Sequence, residues 1–155
     1  MWNIFPFDPS HQPGIDALNL EIMQEFNDKR PASPGSISEL SKRDHEYYWV
    51  AVSDKICIGT VGVSMLVENR AVLKKMVVKK EFRGRRSGVS EALLNTVLDH
   101  LRKNETRILF LGTRPEMIAA HKFYLKNGFA RIDQNHVPVD HNFNSVDRIF
   151  FRLDL

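Results

Sequence analysis

Apolar and polar positions along this chain follow several distinct rhythms in turn. Trp2 to Phe7 reads as a short first strand. Ile15, Leu18, Ile22 and Phe26 then recur at steps of three and four, which predicts a helix from Pro13 to Asn27 with one apolar face. Asp28 to Glu46 is polar, holds Pro31, Pro34 and Gly35, and reads as a loop with one or two helical turns at Ser36 to Lys42. Three β-type runs follow, at Tyr47 to Val52, Ile56 to Val67 and Ala71 to Val78. The short turns Ser53-Asp54-Lys55 and Glu68-Asn69-Arg70 join them, so they form an antiparallel meander. Val89, Leu93, Leu94, Val97, Leu98 and Leu101 give a helix from about Gly88 to Lys103 a continuous apolar stripe. Arg107 to Leu111 is a buried-type strand, and the helical crossover before it allows parallel pairing. Thr113-Arg114-Pro115-Glu116 has capping-box spacing and predicts a helix start there, with a stop at Asn127-Gly128. Phe129 to Asp133 and Val146 to Leu153 close the chain as strands around the polar loop Gln134 to Ser145. This order predicts a mixed sheet with helices on its faces.

Composition narrows this picture only a little. The chain has 155 residues, 43% hydrophobic and 26% charged, which fits one soluble compact domain over residues 1–155. Cys57 is the one cysteine, so an internal disulfide is excluded, and its apolar surroundings assign it to the core. No apolar run reaches membrane-spanning length, and MWNIFPFDPS lacks the charge-then-apolar order of a signal peptide. The expectation is a cytoplasmic protein without a membrane partner.

Charge changes the picture more. The formal net charge is only +3, but Lys74, Lys75, Lys79, Lys80, Arg83, Arg85 and Arg86 crowd one stretch against Glu81 alone. Such a cluster attracts a polyanion; equally, lysines can guard a solvated strand edge. Its position is informative. A strand ends near Lys80, a helix begins near Gly88, and the turn between them holds Gly84 and Gly88. The first N–H groups of a helix have no internal partner and favour negative charge, and glycine lets a ligand approach the backbone. The stretch is neither a G-x-x-x-x-G-K-[ST] loop nor a G-x-G-x-x-G fingerprint.

This turn resembles the acetyl-CoA loop of the GNAT superfamily of N-acetyltransferases, whose Q/R-x-x-G-x-G/A signature here reads Arg85-Arg86-Ser87-Gly88-Val89-Ser90. Ser90 stands where Gly or Ala is usual. A second similar stretch is LGTRPEMIAAHKFYLKNGF, with Ala120, Phe123, Tyr124, Gly128 and Phe129 in an A-x-x-F-Y-x-x-x-G-F pattern. The resemblance covers about residues 47 to 133. It implies an α/β (α+β) fold, a mixed and mostly antiparallel sheet of about seven strands flanked by about four helices. It also implies acetyl-CoA as cosubstrate, with no metal.

By the same resemblance, the backbone of Arg86, Ser87, Gly88, Val89 and Ser90 receives the pyrophosphate, with Arg85 and Arg86 pairing to phosphates. The pantetheine arm runs along Met76, Val77 and Val78, and Ala120 and Phe123 complete the cofactor contacts. An amine attacks the thioester carbonyl directly, and Tyr124 stands where the family places the acid for the leaving thiolate. A tyrosine of pKa about 10 can protonate a thiolate whose own acid has a pKa near ~8.5.

Two positions depart from the pattern. The glutamate that many members carry early in the fourth strand is Val72 here, and Glu68, Asp147, His45 and His141 are the substitutes at hand. Met117 stands where a cofactor-touching asparagine is common. The missing base motivates a second reading, a non-catalytic acyl-CoA sensor module on the same fold. Binding to nucleic acid is disfavoured, because the basic cluster lacks interleaved aromatics and any recognised motif. His136 and His141 lack the supporting ligands of a metal site. The run Tyr47-Tyr48-Trp49 is read as a core strand. The acceptor amine is not specified. The family builds its site from segments that here are Asp28 to Glu46 and Gln134 to Ser145, and a homodimer is left open.

Overall fold

The computed structural model describes residues 1–27 and 36–155. Of the expected loop from Asp28 to Glu46, residues 28–35 lie outside the described part. Among the described residues are seven strands and four α-helices: β1 Trp2–Pro6, α1 Gln12–Glu25, α2 Ile37–Leu40, β2 Glu46–Ser53, β3 Ile56–Leu66, β4 Arg70–Val78, α3 Val89–Lys103, β5 Ile108–Thr113, α4 Ile118–Lys126, β6 Ala130–Ile132 and β7 Ile149–Asp154. The strands form one mixed, mostly antiparallel sheet in the order β1-β2-β3-β4-β5-β7-β6. β4 and β5 are parallel, whereas β1 with β2, β5 with β7 and β6 with β7 are antiparallel. Among the described residues no helix is long and apolar enough to cross a membrane.

By contacts the chain forms two compact units, Met1–Val63 with Lys75–Asp99 and Ser64–Lys74 with His100–Leu155. In the first, α1 and α2 bury Ile15, Leu18, Ile37 and Leu40 with Tyr48, Val50 and Cys57. The Tyr48 ring lies so close over β3 that a Cβ at Gly62 would meet it at 2.3 Å. Leu93 of α3 covers Gly59, where a Cβ would come within 3.0 Å of it. The apolar stripe of α3 is buried from Val89 to Leu101, as its spacing requires. Phe26 departs from the expected stripe of α1. It lies past the helix end, is 38% exposed, and carries the Arg83 guanidinium 5.7 Å from its ring centroid.

The second unit centres on Leu109, Leu111, Phe129, Phe150 and Phe151, each nearly inaccessible. Here the expected capping box does not form. α4 starts at Ile118, with Met117 as its N-cap and no side-chain cap bond. Glu116 instead accepts from Arg114 Nε at 2.8 Å, so its carboxylate is engaged two residues back. The helix stop is as expected: Asn127 is the C-cap and Gly128 has φ +92°.

Candidate active site

In the first unit, the turn after β4 is built backbone first. The Lys79 N–H donates to Ile58 O at 2.7 Å, and a 3₁₀ turn at Lys80–Phe82 follows. Gly84 and Gly88 then take φ of +95° and +71°, in the left-handed region. A Cβ at either would meet nothing within 4 Å. Glycine is therefore required here by backbone conformation, and the space above both positions is open. Gly88 N–H donates to Gly84 O at 3.3 Å, and Ala92 N–H to Gly88 O at 3.0 Å begins the α3 ladder. The N–H groups of Val89 to Glu91 precede that ladder, as helix geometry dictates. Val89 as a whole is fully buried. Arg85 and Arg86 are exposed, and Ser87, Gly88 and Ser90 half-buried.

Two cations of the basic cluster turn away from that space. Lys79 Nζ pairs with both oxygens of Glu21 at 2.7 and 2.9 Å. Arg83 donates from Nε to Val78 O at 2.8 Å and forks its terminal nitrogens onto Glu25. The Arg83 hydrogen bonds hold the Glu25 carboxyl below its usual range, and the bond to Glu21 holds Lys79 above its own. Glu21 and Glu25 are one helical turn apart on α1 and clamp the entrance to the turn.

β4 itself carries a kink that nothing in its β-type residues announces. Lys75 has φ +54°, and its carbonyl accepts from the buried Thr60 hydroxyl at 2.6 Å. The expected cofactor strand positions follow: Met76 and Val77 are half-buried and Val78 buried. Earlier in β4, Arg70–Val72 pair in parallel with Ile108–Phe110, and that pairing ends at Val72.

In the second unit, α4 brings Tyr124 into an aromatic nest. Its ring meets Phe129 at 5.4 Å, Phe123 at 5.7 Å and Phe151 at 5.8 Å. Burial pushes the Tyr124 pKa up, and the charge of Asp147 adds to the shift. The group is a neutral phenol at physiological pH, able to give a proton rather than take one. Ala120 and Phe123 on the same helix are half-buried. His121 lies on Phe151, with Nε2 3.0 Å from Arg114 O.

The position of the missing base is closed: Val72 is 1% exposed and apolar. Of the substitutes, Glu68 sits in the β3–β4 turn at φ +61° with its side chain 82% exposed. The His45 ring stands 4.0 Å from Glu46 and is largely exposed. His141 packs edge-on against Phe143 at 4.7 Å. Asp147, the fourth, acts on Tyr124 through its charge. Around it lies a cavity of about 730 Å³, lined among others by His141, Phe143, Asn144, Asp147, Arg148 and Phe150. Arg70 forks onto Asp140 at 2.8 and 3.0 Å and anchors this loop to β4.

One buried carboxylate escaped the sequence reading. Glu46, assigned to the polar loop, opens β2 at 5% exposure and accepts from the Tyr48 hydroxyl at 2.6 Å. Burial and then Glu46 raise the Tyr48 pKa. The alternation of β2 extends one residue further than its aromatics suggest. That was the available signal. Tyr47 is 41% exposed, so only part of the aromatic run is core. Met117 is half-buried. Among the described residues no group of three or more His, Cys, Asp or Glu side chains is placed to hold a metal ion.

Comparisons with known proteins agree on the fold. The profile of the Acetyltransferase (GNAT) family matches residues 15–129. N-acetylaspartate synthetase from Xenopus tropicalis is 31% identical over 115 residues, 72% of this chain and 42% of that protein. The Homo sapiens N-acetylaspartate synthetase is 31% identical over 109 residues, 68% of this chain and 35% of that protein. The chain thus spans about two-fifths of the length of these curated relatives. A GNAT-family acetyltransferase from Staphylococcus aureus superposes with a TM-score of 0.88 at 26% identity, covering 99% of both chains. The PaiA N-acetyltransferase of Thermoplasma acidophilum, solved with coenzyme A, superposes with a TM-score of 0.79 at 15% identity over 100% and 99% of the two chains. With the profile matched over most of its length, this chain belongs to the acetyltransferase (GNAT) family.

Proposed function

We propose that residues 1–155 form one acetyl-CoA-dependent N-acetyltransferase domain acting on a primary amine. The turn between β4 and α3 carries this reading. Its two left-handed glycines open space beside free helix N–H groups, and Arg85 and Arg86 are exposed next to it. The backbone from Arg86 to Ser90 receives a pyrophosphate, and the two arginines pair with phosphates. Met76, Val77 and Val78 offer strand backbone to the pantetheine amides, and Ala120 and Phe123 offer α4 surface. The cosubstrate supplies an acetyl thioester. Tyr124 gives its proton to the thiolate as the amine displaces it. Its buried, aromatic setting keeps the phenol neutral until that moment.

The curated relatives are named for N-acetylaspartate, so an acidic amino acid is the first acceptor to try. A second reading has one observation in its favour: Val72 supplies no base. It is a module that binds acyl-CoA without turning it over. Calorimetry with acetyl-CoA and a thiol-release assay over a panel of amines separate the two. Binding with amine-dependent release is expected. Binding without release from any amine favours the sensor, and the absence of binding removes both.

A further inference from the structure

The β5–β7 ladder ends beside a turn that carries Asp147. The ladder runs from Ile108↔Asp154 to Thr113↔Ile149, and the Arg148 N–H adds a bond to Thr113 O at 3.1 Å. The chain then turns, with Asp147 N–H donating to Asn144 O at 2.9 Å. This turn lays Asp147 over Gly112. A Cβ at Gly112 would meet the Phe143 and Phe150 rings at 3.0 Å and Asp147 Cβ at 3.2 Å. A side chain at position 112 would therefore press on the Asp147 Cβ and on the two rings beside it.

Strand alternation fixes the sides. Phe150 pairs with Gly112 and shares its face, whereas Phe151 points to the other face, where its ring meets Tyr124 at 5.8 Å. Asp147 and Tyr124 thus flank the same ladder end from opposite faces. Asp147 also lines the cavity of about 730 Å³, whose wall includes Phe143, Asn144 and Arg148.

We propose that Asp147 anchors the acceptor's ammonium in this cavity and relays its first proton to water. The inference rests on the acetyltransferase reading above. An alkyl or α-amino acceptor arrives protonated, with a pKa of about 8 to 10, and has no lone pair for attack. Val72 cannot relieve it. An aspartate is a weaker base than an amine, so the proton is not stored but passes on to solvent. The neutral nitrogen then attacks the carbonyl carbon, the C–N bond forms and the C–S bond breaks. Tyr124 protonates the departing sulfur, and the second nitrogen proton leaves as the amide forms and restores the phenol through solvent. One ammonium and one thioester become one amide, one thiol and one released proton. The positive charge that the nitrogen takes on as it bonds to the carbonyl carbon offsets the Asp147 charge that Tyr124 feels, so the phenol gives up its proton more readily at that stage.

The test is thiol release from acetyl-CoA at neutral pH by the wild type and by Asp147→Asn. L-Aspartate, putrescine and an alanyl peptide serve as ammonium acceptors. Hydroxylamine serves as a nitrogen nucleophile already unprotonated. The substitution is expected to lower kcat/KM about 10²-fold for the best ammonium acceptor and to spare hydroxylamine. Equal activity of the two proteins on the ammonium acceptors overturns the inference and leaves the acetyltransferase reading standing. So does a loss that is equal on hydroxylamine, which would make Asp147 merely structural, and so does wild-type release with hydroxylamine alone. No release from the wild type with any nucleophile overturns both.

Discussion

Arg83 and Glu25 lie 58 residues apart in sequence, and the guanidinium of one forks onto the carboxylate of the other. The same Arg83 holds Val78 O through Nε, so a single side chain ties the end of β4 to the end of α1. A planar fork with a third donor is geometry that lysine cannot reproduce.

Loosening this clamp should weaken cofactor binding more than chemistry. Arg83→Lys and Glu25→Gln are expected to raise the Kd for acetyl-CoA severalfold, with kcat nearly unchanged. Calorimetry and steady-state kinetics read the two separately. An unchanged Kd in both variants would show that the turn holds itself without α1.

The clamp also sets an acid limit. Hydrogen bonds from Arg83 depress the Glu25 pKa below its ordinary 4.5. Stability from a depressed carboxyl is present above its unfolded pKa and is lost as pH falls through the folded one. Wild type should therefore have a higher Tm than Glu25→Gln at pH 7, and the two should converge as pH falls through the depressed Glu25 pKa, below its ordinary 4.5. Parallel Tm curves down to the lowest pH would assign the effect to packing instead.

Gly88 at φ +71° meets open space, so Gly88→Ala is penalised by backbone conformation rather than by collision. The expected loss is about 1–2 kcal/mol of stability, with weaker acetyl-CoA binding. Gly88→Asn should lose less, because asparagine tolerates the left-handed region better. Thermal melts of the three proteins test the order.

Tyr124→Phe keeps the ring that packs on Phe129 and Phe151 and removes only the hydroxyl. The expected result is a kcat lower by about 10²-fold or more, with Tm close to wild type. A variant of full activity would remove Tyr124 from the chemistry.

Cys57 is 7% exposed, and burial lifts its thiol pKa to about 11. A disulfide reagent at neutral pH should leave it unmodified in the native protein and label it at once in denaturant. Rapid native labelling would mean that the Cys57 region opens far more easily than its packing suggests.

Much of this was legible along the chain, because periodicity reports burial directly. The α3 stripe and the order of elements follow from it, as does the left-handed stop at Gly128. What escaped depends on partners distant in sequence. Nothing near Lys79 and Arg83 says that Glu21 and Glu25 will claim them, so the sequence left the cluster open between a polyanion site and a guarded strand edge. The capping-box spacing at Thr113 lost to the local Arg114–Glu116 pair. The Lys75 kink depends on a hydroxyl from β3, and Glu46 owes its burial to the packing around Tyr48.

The alternation of Phe150 and Phe151 has a consequence for proton traffic. An acid and a base within reach of each other would form a closed pair and exchange one proton to no effect. Here the Asp147 charge acts on Tyr124 through space, and strand alternation sets the two groups on opposite faces of the ladder. On the proposed mechanism each group exchanges protons with the substrate or with solvent, and not with the other.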